Sequence, residues 1–263
     1  MKMGKAITGD GIAIGWQIEG PDAAPVLMLS NSLGTTRAMW DQQAKSLSAH
    51  FRILRYDTRG HGQSDVPAGA YGLDRLGRDA VELLDSLEIE RAHFCGVSLG
   101  GMTGQWLGIH ASERLDRLIL ANTSAYMGPP AGWQARMETV IAHGMATIAD
   151  AVLERWFTPE FRAGMPEAIA TLRQDLLACS PTGYAGCCAA IRDMDLRPTI
   201  GLISRPVLVI NGLRDPATPP AQGDFIARHA RNARSISLDA AHLSNIERPG
   251  EFNKAVLEFI PQD

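Results

Sequence analysis

Short apolar runs alternate with segments of helical periodicity along most of this chain, and this alternation constrains the fold more than any other feature. The runs are rich in valine, isoleucine and leucine and cover residues 26–29, 53–56, 92–97, 118–121 and 207–210. Helical segments such as 77–87, whose apolar residues share one face, separate most of them. Buried strands that alternate with helices form a mostly parallel sheet covered on both faces. We therefore predict an α/β fold.

The first residues depart from this pattern. Residues 6–7 and 12–18 are strand-like, and the sequence Gly-Asp-Gly at 9–11 lies between them. Such a turn between two apolar segments is typical of a β-hairpin. The sheet is therefore expected to begin with antiparallel strands.

The pattern also changes between residues 122 and 205, where only helical segments occur. Their periodicity covers residues 133–146, 148–156, 167–178 and 184–192, with proline and glycine between them. An all-helical insertion in such a sheet lies over the carboxyl ends of the strands, where α/β sheets bind ligands. We predict a core domain of residues 1–125 and 200–263, with an inserted helical cap of residues 126–199.

Composition argues against several classes of function. The 263 residues include 25 Lys and Arg and 29 Asp and Glu, which gives a formal net charge of −4. Without a long run of one sign, this balance argues against a nucleic-acid partner or a polybasic membrane patch. The chain also lacks the roughly 20 consecutive apolar residues of a membrane helix and the apolar core of a secretion signal. We expect a cytoplasmic protein.

The cysteines give no sign of a metal site. Four are present, at positions 95, 179, 187 and 188, with no CxxC pair and no zinc-like spacing to histidine. In a reducing compartment, small buried thiols are expected.

The sequence GVSLGG at residues 96–101 follows an apolar strand and precedes a helical segment. A Gly-x-Ser-x-Gly in that context predicts a nucleophile elbow, a tight turn that projects a serine hydroxyl. The glycines on either side of Ser98 avoid side-chain clashes in the turn. We predict Ser98 as a catalytic nucleophile; an ordinary strand-to-helix turn is the alternative.

A serine hydroxyl needs a base to remove its proton, and His242 is the histidine best placed to act as one. It follows the last strand candidate and precedes the final helix. Asp215 lies in the turn that leaves the strand at 207–210, where an acid can orient the imidazole. The order Ser98, Asp215, His242 is the chain order of triads on this fold, although an Asp before Pro is also common in turns.

Acyl transfer also needs two amide donors for the developing oxyanion. The amide of Leu99, directly after the nucleophile, is one candidate. The other is expected in the loop after the strand at 26–29, and we assign it to the amide of Ser32.

With these residues placed, nearly the whole chain resembles an α/β-hydrolase, and several long segments are similar to 3-oxoadipate enol-lactonases. The family's usual His-Gly is replaced by Ser-Asn in the sequence LSNSLGT at residues 29–35. Further similar segments are LERWFTP at 153–159, GYAGCCAAIRDMD at 183–195 and AHLSNIE at 241–247.

The resemblance implies hydrolysis of 3-oxoadipate enol-lactone to 3-oxoadipate, a step of bacterial aromatic degradation in the β-ketoadipate pathway, without a metal or organic cofactor. The lactone carries a carboxylate, and a buried carboxylate needs a cationic partner. Arg136, Arg155 and Arg192 of the cap are candidates, with Arg192 preferred because it follows a cap helix. Trp133 and Trp156 are candidate pocket walls.

Three other functions stay open. A general carboxylesterase or a cofactor-free, haloperoxidase-like perhydrolase would have the same triad. A small-molecule receptor built on a hydrolase fold could also retain the three residues with little turnover. The sequence does not determine an oligomeric state.

Overall fold

The computed structural model describes residues 1–261 and contains one eight-stranded sheet in the order β1-β2-β4-β3-β5-β6-β7-β8. The strands are β1 Lys2–Ile7, β2 Ala13–Glu19, β3 Val26–Ser30, β4 Arg52–Tyr56, β5 Ala92–Val97, β6 Leu115–Ala121, β7 Val207–Gly212 and β8 Ala233–Leu238. The pairs β1–β2 and β2–β4 are antiparallel and every other pair is parallel. The predicted antiparallel start and parallel body of the sheet are confirmed.

Eleven α-helices occur in the described residues. They are α1 Asp41–Leu47, α2 Leu73–Ser86, α3 Leu99–His110, α4 Pro130–His143, α5 Ala146–Trp156, α6 Pro159–Gly164, α7 Pro166–Ala178, α8 Pro181–Asp193, α9 Pro220–His229, α10 Ser244–Glu247 and α11 Pro249–Phe259. From β3 the chain first moves to β4 on one side and then crosses back to β5 on the other side of β3. Because both crossovers are right-handed, α1 and α2 lie on opposite faces of the sheet. In agreement, α1 contacts α11, whereas α2 contacts α3.

Helices α4 to α8 form the cap and lie between β6 and β7 in the chain, as the helical periodicity predicted. The sequence singled out neither the cap helix α6 nor the strand β8, and α1, α9 and α10 were likewise not predicted. Helix α6 has only six residues, too few to show a period, and β8 has the sequence ARSISL, in which polar residues interrupt the apolar pattern. The fold class is confirmed, whereas the domain limits at residues 126 and 199 stay a prediction.

Burial supports this architecture. Strands β5 and β7 are buried along their whole length, as expected for central strands with helices on both faces. All four cysteines are free and buried, which confirms the expectation of buried thiols. Within residues 1–261, no helix is both long and apolar enough to cross a bilayer.

Candidate active site

Ser98 lies in a strained turn between β5 and α3. Its backbone has φ 57° and ψ −115°, a left-handed conformation that is rare outside glycine. A Cβ on Gly96 would lie 2.2 Å from the backbone of Gly100, and a Cβ on Gly100 would lie 2.2 Å from the carbonyl oxygen of Ser30. Only glycine fits at these two positions, and the turn has the geometry of a nucleophile elbow.

The side chains of Asp215 and His242 meet although 27 residues separate them. His242 Nδ1 lies 2.8 Å from Asp215 Oδ2, and both residues are buried. Ser98 and His242 line one cavity at the carboxyl end of the sheet. The structure therefore brings the three predicted residues to one site; the proton transfer between Ser98 and His242 stays a prediction.

The carboxylate of Asp215 is surrounded by donors. Its Oδ1 accepts hydrogen bonds from the amides of Ala217 at 2.8 Å and Thr218 at 3.0 Å, and its Oδ2 accepts from Thr218 Oγ1 at 2.7 Å and Asn122 Nδ2 at 3.0 Å. Burial alone would raise the pKa of Asp215, but the nearby His242 and the bonds from Thr218 outweigh it and lower the pKa. Asp215 is therefore held as an anion beside the imidazole.

Asn122 supports this arrangement, although its role was not predicted from the sequence. Its Nδ2 bonds both Asp215 and the carbonyl oxygen of Ala241, the residue before His242. Its Oδ1 accepts from Ser244 Oγ at 2.5 Å. Asn122 has a φ of 44°, directly after β6, and asparagine tolerates that conformation better than most residues. An Asn directly after a buried strand was the only sequence signal available.

The two predicted oxyanion donors lie near Ser98, with one unexpected contact. Leu99 is the first residue of α3, where backbone amides have no partner within the helix. Ser32 lines the same cavity, but its amide donates to Met39 Sδ at 3.4 Å. Because a thioether is a weak acceptor, this contact is a poor competitor for an oxyanion. Within residues 1–261, the buried Ser32 hydroxyl has no hydrogen-bond partner.

His61 holds the loop that carries Ser32. Its Nε2 accepts from the amide of Gly34 at 3.0 Å, and its Nδ1 lies 3.3 Å from the carbonyl oxygen of Arg59. These contacts fit the neutral tautomer with the proton on Nδ1. Burial lowers the pKa of His61, which favours the same neutral form. His61 therefore fixes the backbone of this loop.

The cap closes the cavity with apolar and cationic side chains. Its wall includes Trp133 and Arg136 of α4, Arg155 and Trp156 of α5, and Tyr184 of α8. The Arg136 guanidinium lies 4.9 Å from the ring centre of Trp133. Within the described part of the chain, no carboxylate forms an ion pair with either cavity arginine. Burial and then the charge of Arg136 lower the pKa of Arg155.

Arg192, the preferred carboxylate partner in the sequence analysis, is not part of this cavity. Ile191 lines the wall, and one residue further along a helix turns the side chain about 100° away. The Arg192 guanidinium instead bonds the carboxylate of Asp193 twice, at 2.7 Å each, and Gln134 Oε1 at 2.6 Å. The prediction that Arg192 contacts the substrate is therefore wrong, because α8 presents Ile191 to the cavity and directs the Arg192 side chain away from it.

A second groove is larger but lacks the predicted chemistry. It has a volume of about 610 Å³ and lies beside Gly34, Arg37, Asp57 and His61. None of the three predicted triad residues lines it. We therefore assign the site to the smaller cavity. No group of three or more His, Cys, Asp or Glu side chains in residues 1–261 is arranged to hold a metal ion.

Comparison with known proteins decides the family. A sequence model described as the alpha/beta hydrolase fold matches residues 25–249. The chain belongs to the α/β-hydrolase family. This α/β-hydrolase is 45% identical over 250 residues to 3-oxoadipate enol-lactonase 2 of Acinetobacter baylyi, which covers 95% of this chain and 94% of that protein.

Solved structures agree with this assignment. The enol-lactonase from Burkholderia xenovorans has a TM-score of 0.95 and 43% identity, covering 97% of this α/β-hydrolase and 99% of that chain. A hydrolase from Pseudomonas aeruginosa has a TM-score of 0.96 and 47% identity, covering 98% of each chain. These findings confirm the resemblance to the enol-lactonases and the expectation of a hydrolytic enzyme.

Proposed function

We propose that this α/β-hydrolase converts 3-oxoadipate enol-lactone to 3-oxoadipate in the cytoplasm, as a step of aromatic degradation, without a cofactor. The charge of the cavity supports an anionic substrate. Arg136 and Arg155 face the cavity of Ser98, and no carboxylate in residues 1–261 forms an ion pair with either of them. Two half-buried cations that lack a carboxylate partner create a site in which the carboxylate of a substrate is stabilised by charge-assisted hydrogen bonds.

In the proposed reaction, Ser98 Oγ attacks the lactone carbonyl carbon while His242 Nε2 takes the hydroxyl proton. The amides of Leu99 and Ser32 stabilise the oxyanion, and losing one such donor costs about 3 kcal/mol of transition-state stabilisation. Asp215 keeps the imidazole in one tautomer and stabilises its cationic form.

Collapse of the tetrahedral intermediate breaks the ring C–O bond. The leaving group is an enolate oxygen whose charge spreads onto carbon, so it departs more readily than an alkoxide and needs less help from His242 as an acid. It stays tethered to the acyl-enzyme and takes up the proton that His242 holds, which leaves the imidazole neutral. Ketonisation of the resulting enol opposes ring closure. Water activated by His242 then hydrolyses the acyl-enzyme and releases the diacid.

The cap residues bind the substrate and determine which substrate is accepted. Arg136 and Arg155 bind the free carboxylate, and Trp133 and Trp156 form walls that exclude water. The Trp133 indole is fixed by a hydrogen bond of 2.8 Å from its Nε1 to the carbonyl oxygen of Met127. A fixed wall aligns the lactone carbonyl for attack with little loss of entropy at the reacting step.

A steady-state comparison tests the proposal. Turnover is measured on freshly generated enol-lactone, on p-nitrophenyl acetate, and on peroxide with monochlorodimedone as halogen acceptor. We expect kcat/KM on the lactone to exceed that on the neutral ester by at least about 100-fold, since only the lactone uses the arginines.

The other outcomes identify the alternatives. Equal or better turnover of the neutral ester favours a general carboxylesterase, and halogenation of monochlorodimedone favours a perhydrolase. A stable complex with the lactone but no multiple turnover favours a receptor. Each of these results would reject the proposed function.

A further inference from the structure

The loop that carries His242 is fixed by hydrogen bonds from the backbone amides of the two residues that flank the histidine. The amide of Ala241 donates to Glu247 Oε2 at 3.0 Å, and the amide of Leu243 donates to the carbonyl oxygen of Trp156 at 3.0 Å. His242 therefore lies between two backbone anchors. One anchor is a side chain of α10 and the other is the end of cap helix α5.

Glu247 joins these anchors to each other. Its Oε1 accepts a short hydrogen bond from Thr158 Oγ1, and its Oε2 also accepts from the Thr158 amide at 3.4 Å. Glu247 is 5% exposed and forms no ion pair with a cation in the described residues. A buried carboxylate without a cation is unfavourable unless its lone pairs are bonded. All of its bonding partners here belong either to the cap segment or to the histidine loop.

The cap segment involved is part of the catalytic cavity wall. Arg155 and Trp156 line the cavity, and Thr158 follows them after a single residue. Any displacement of this segment relative to the core changes the anchors of His242, because Trp156 and Thr158 hold them directly. The segment that contacts substrate and the loop that carries the base are thus mechanically connected.

We propose that Glu247 is a positioning residue that, with Thr158, ties the cap to the His242 loop and sets the reach of the imidazole towards Ser98. The inference rests on the proposed role of His242 as the base. Its consequence is that the cap fixes the base as well as binding the substrate. Loss of the tie lowers the rate of the chemical step for every ester, including small ones that do not use the cap arginines.

The Thr158→Val and Thr158→Ser variants provide the test. Valine keeps the shape of threonine but removes the hydroxyl donor, whereas serine retains it. Thr158→Val is expected to lower kcat about tenfold on both the lactone and p-nitrophenyl acetate, with KM for the neutral ester changed less than about twofold. Thr158→Ser is expected to restore kcat. Glu247→Gln, which turns an NH₂ group towards a backbone or hydroxyl donor, is expected to lower kcat further.

Thr158 also caps α6 by accepting from the amide of Phe161 at 3.3 Å, so a control must separate catalysis from cap stability. Ser180→Ala removes the equivalent cap of α8, where Ser180 Oγ accepts from the amide of Gly183 at 3.4 Å, without touching the histidine loop. We expect this variant to lower Tm by a similar amount and to keep wild-type kcat.

The proposal is overturned if Thr158→Val lowers Tm but keeps wild-type kcat on the neutral ester, or if Ser180→Ala lowers kcat equally. Failure of the proposed function is distinguishable from this result. If the wild-type enzyme hydrolyses p-nitrophenyl acetate but not the lactone, the function is wrong, and the comparison of Thr158 variants on the neutral ester still tests the tie.

Discussion

His242 Nδ1 lies 2.8 Å from Asp215 Oδ2, at a point where the same oxygen also accepts from Thr218 and Asn122. The acid is therefore fixed by groups other than the imidazole that it orients. An aspartate held in this way keeps one histidine tautomer and stabilises the imidazolium ion that forms during the reaction.

Asp215→Asn is expected to lower kcat by about 10⁴-fold with little change in KM. The amide replaces the anion that stabilises the imidazolium and favours the wrong tautomer of His242. Steady-state kinetics on the enol-lactone checks this, with circular dichroism to confirm the fold. A loss of less than about tenfold would show that Asp215 does not act on His242 during catalysis.

His61 predicts a pH dependence of stability. Its unperturbed pKa is 6.5, and burial lowers the pKa in the folded state. Below pH 6.5 the unfolded chain therefore binds more protons than the folded one, and the free energy of unfolding falls as the pH falls. Burial also lowers the pKa of His93, which acts in the same direction.

His61→Gln is expected to reduce this slope below pH 6.5, because glutamine can accept the hydrogen bond from the Gly34 amide but does not titrate. Part of the slope should remain, because His93 is still present. Urea unfolding at several values between pH 5 and pH 8 measures it. His143→Gln, a change at an exposed cap residue, is the matched control and should keep the wild-type slope. An unchanged slope in His61→Gln would contradict the neutral, bonded form of His61.

The cavity arginines predict a selective effect on substrate binding. Arg136→Met and Arg155→Met each remove a charge but keep an apolar side chain of similar length. Each is expected to raise KM for the anionic lactone about 10- to 100-fold, which corresponds to loss of a charge-assisted hydrogen bond, and to change KM for p-nitrophenyl acetate less than about twofold.

Arg192→Met is the control for this pair, because Arg192 lies outside the cavity and bonds Asp193. It should leave KM for both substrates near the wild-type values. If Arg192→Met raised KM for the lactone while the two cavity variants did not, the placement of the substrate carboxylate would be wrong.

Local sequence signals predicted the framework of this protein well. The five apolar runs coincide with β3 to β7, and the turn at Ser98 lies where the glycine pattern placed it. The strands and the turn both depend on residues that are close in the chain. For example, a Cβ added to Gly96 would lie 2.2 Å from the backbone of Gly100. Local sequence patterns can therefore predict such features.

The contacts that set the site depend on segments far apart in the chain, and the sequence could not reveal them. Asn122 meets Asp215 across 93 residues, and Thr158 meets Glu247 across 89. Arg192 was misplaced for a related reason. The helical period identified α8, but only the packing of the cap on the core determines which face of that helix looks into the cavity.

The most direct test of the whole account is kcat of the wild-type enzyme and of Ser98→Ala on freshly generated 3-oxoadipate enol-lactone. The account predicts multiple turnovers to 3-oxoadipate for the wild type and a decrease of about 10⁶-fold in the folded variant, because no other hydroxyl occupies the elbow. Turnover by Ser98→Ala at more than about a hundredth of the wild-type rate would contradict it.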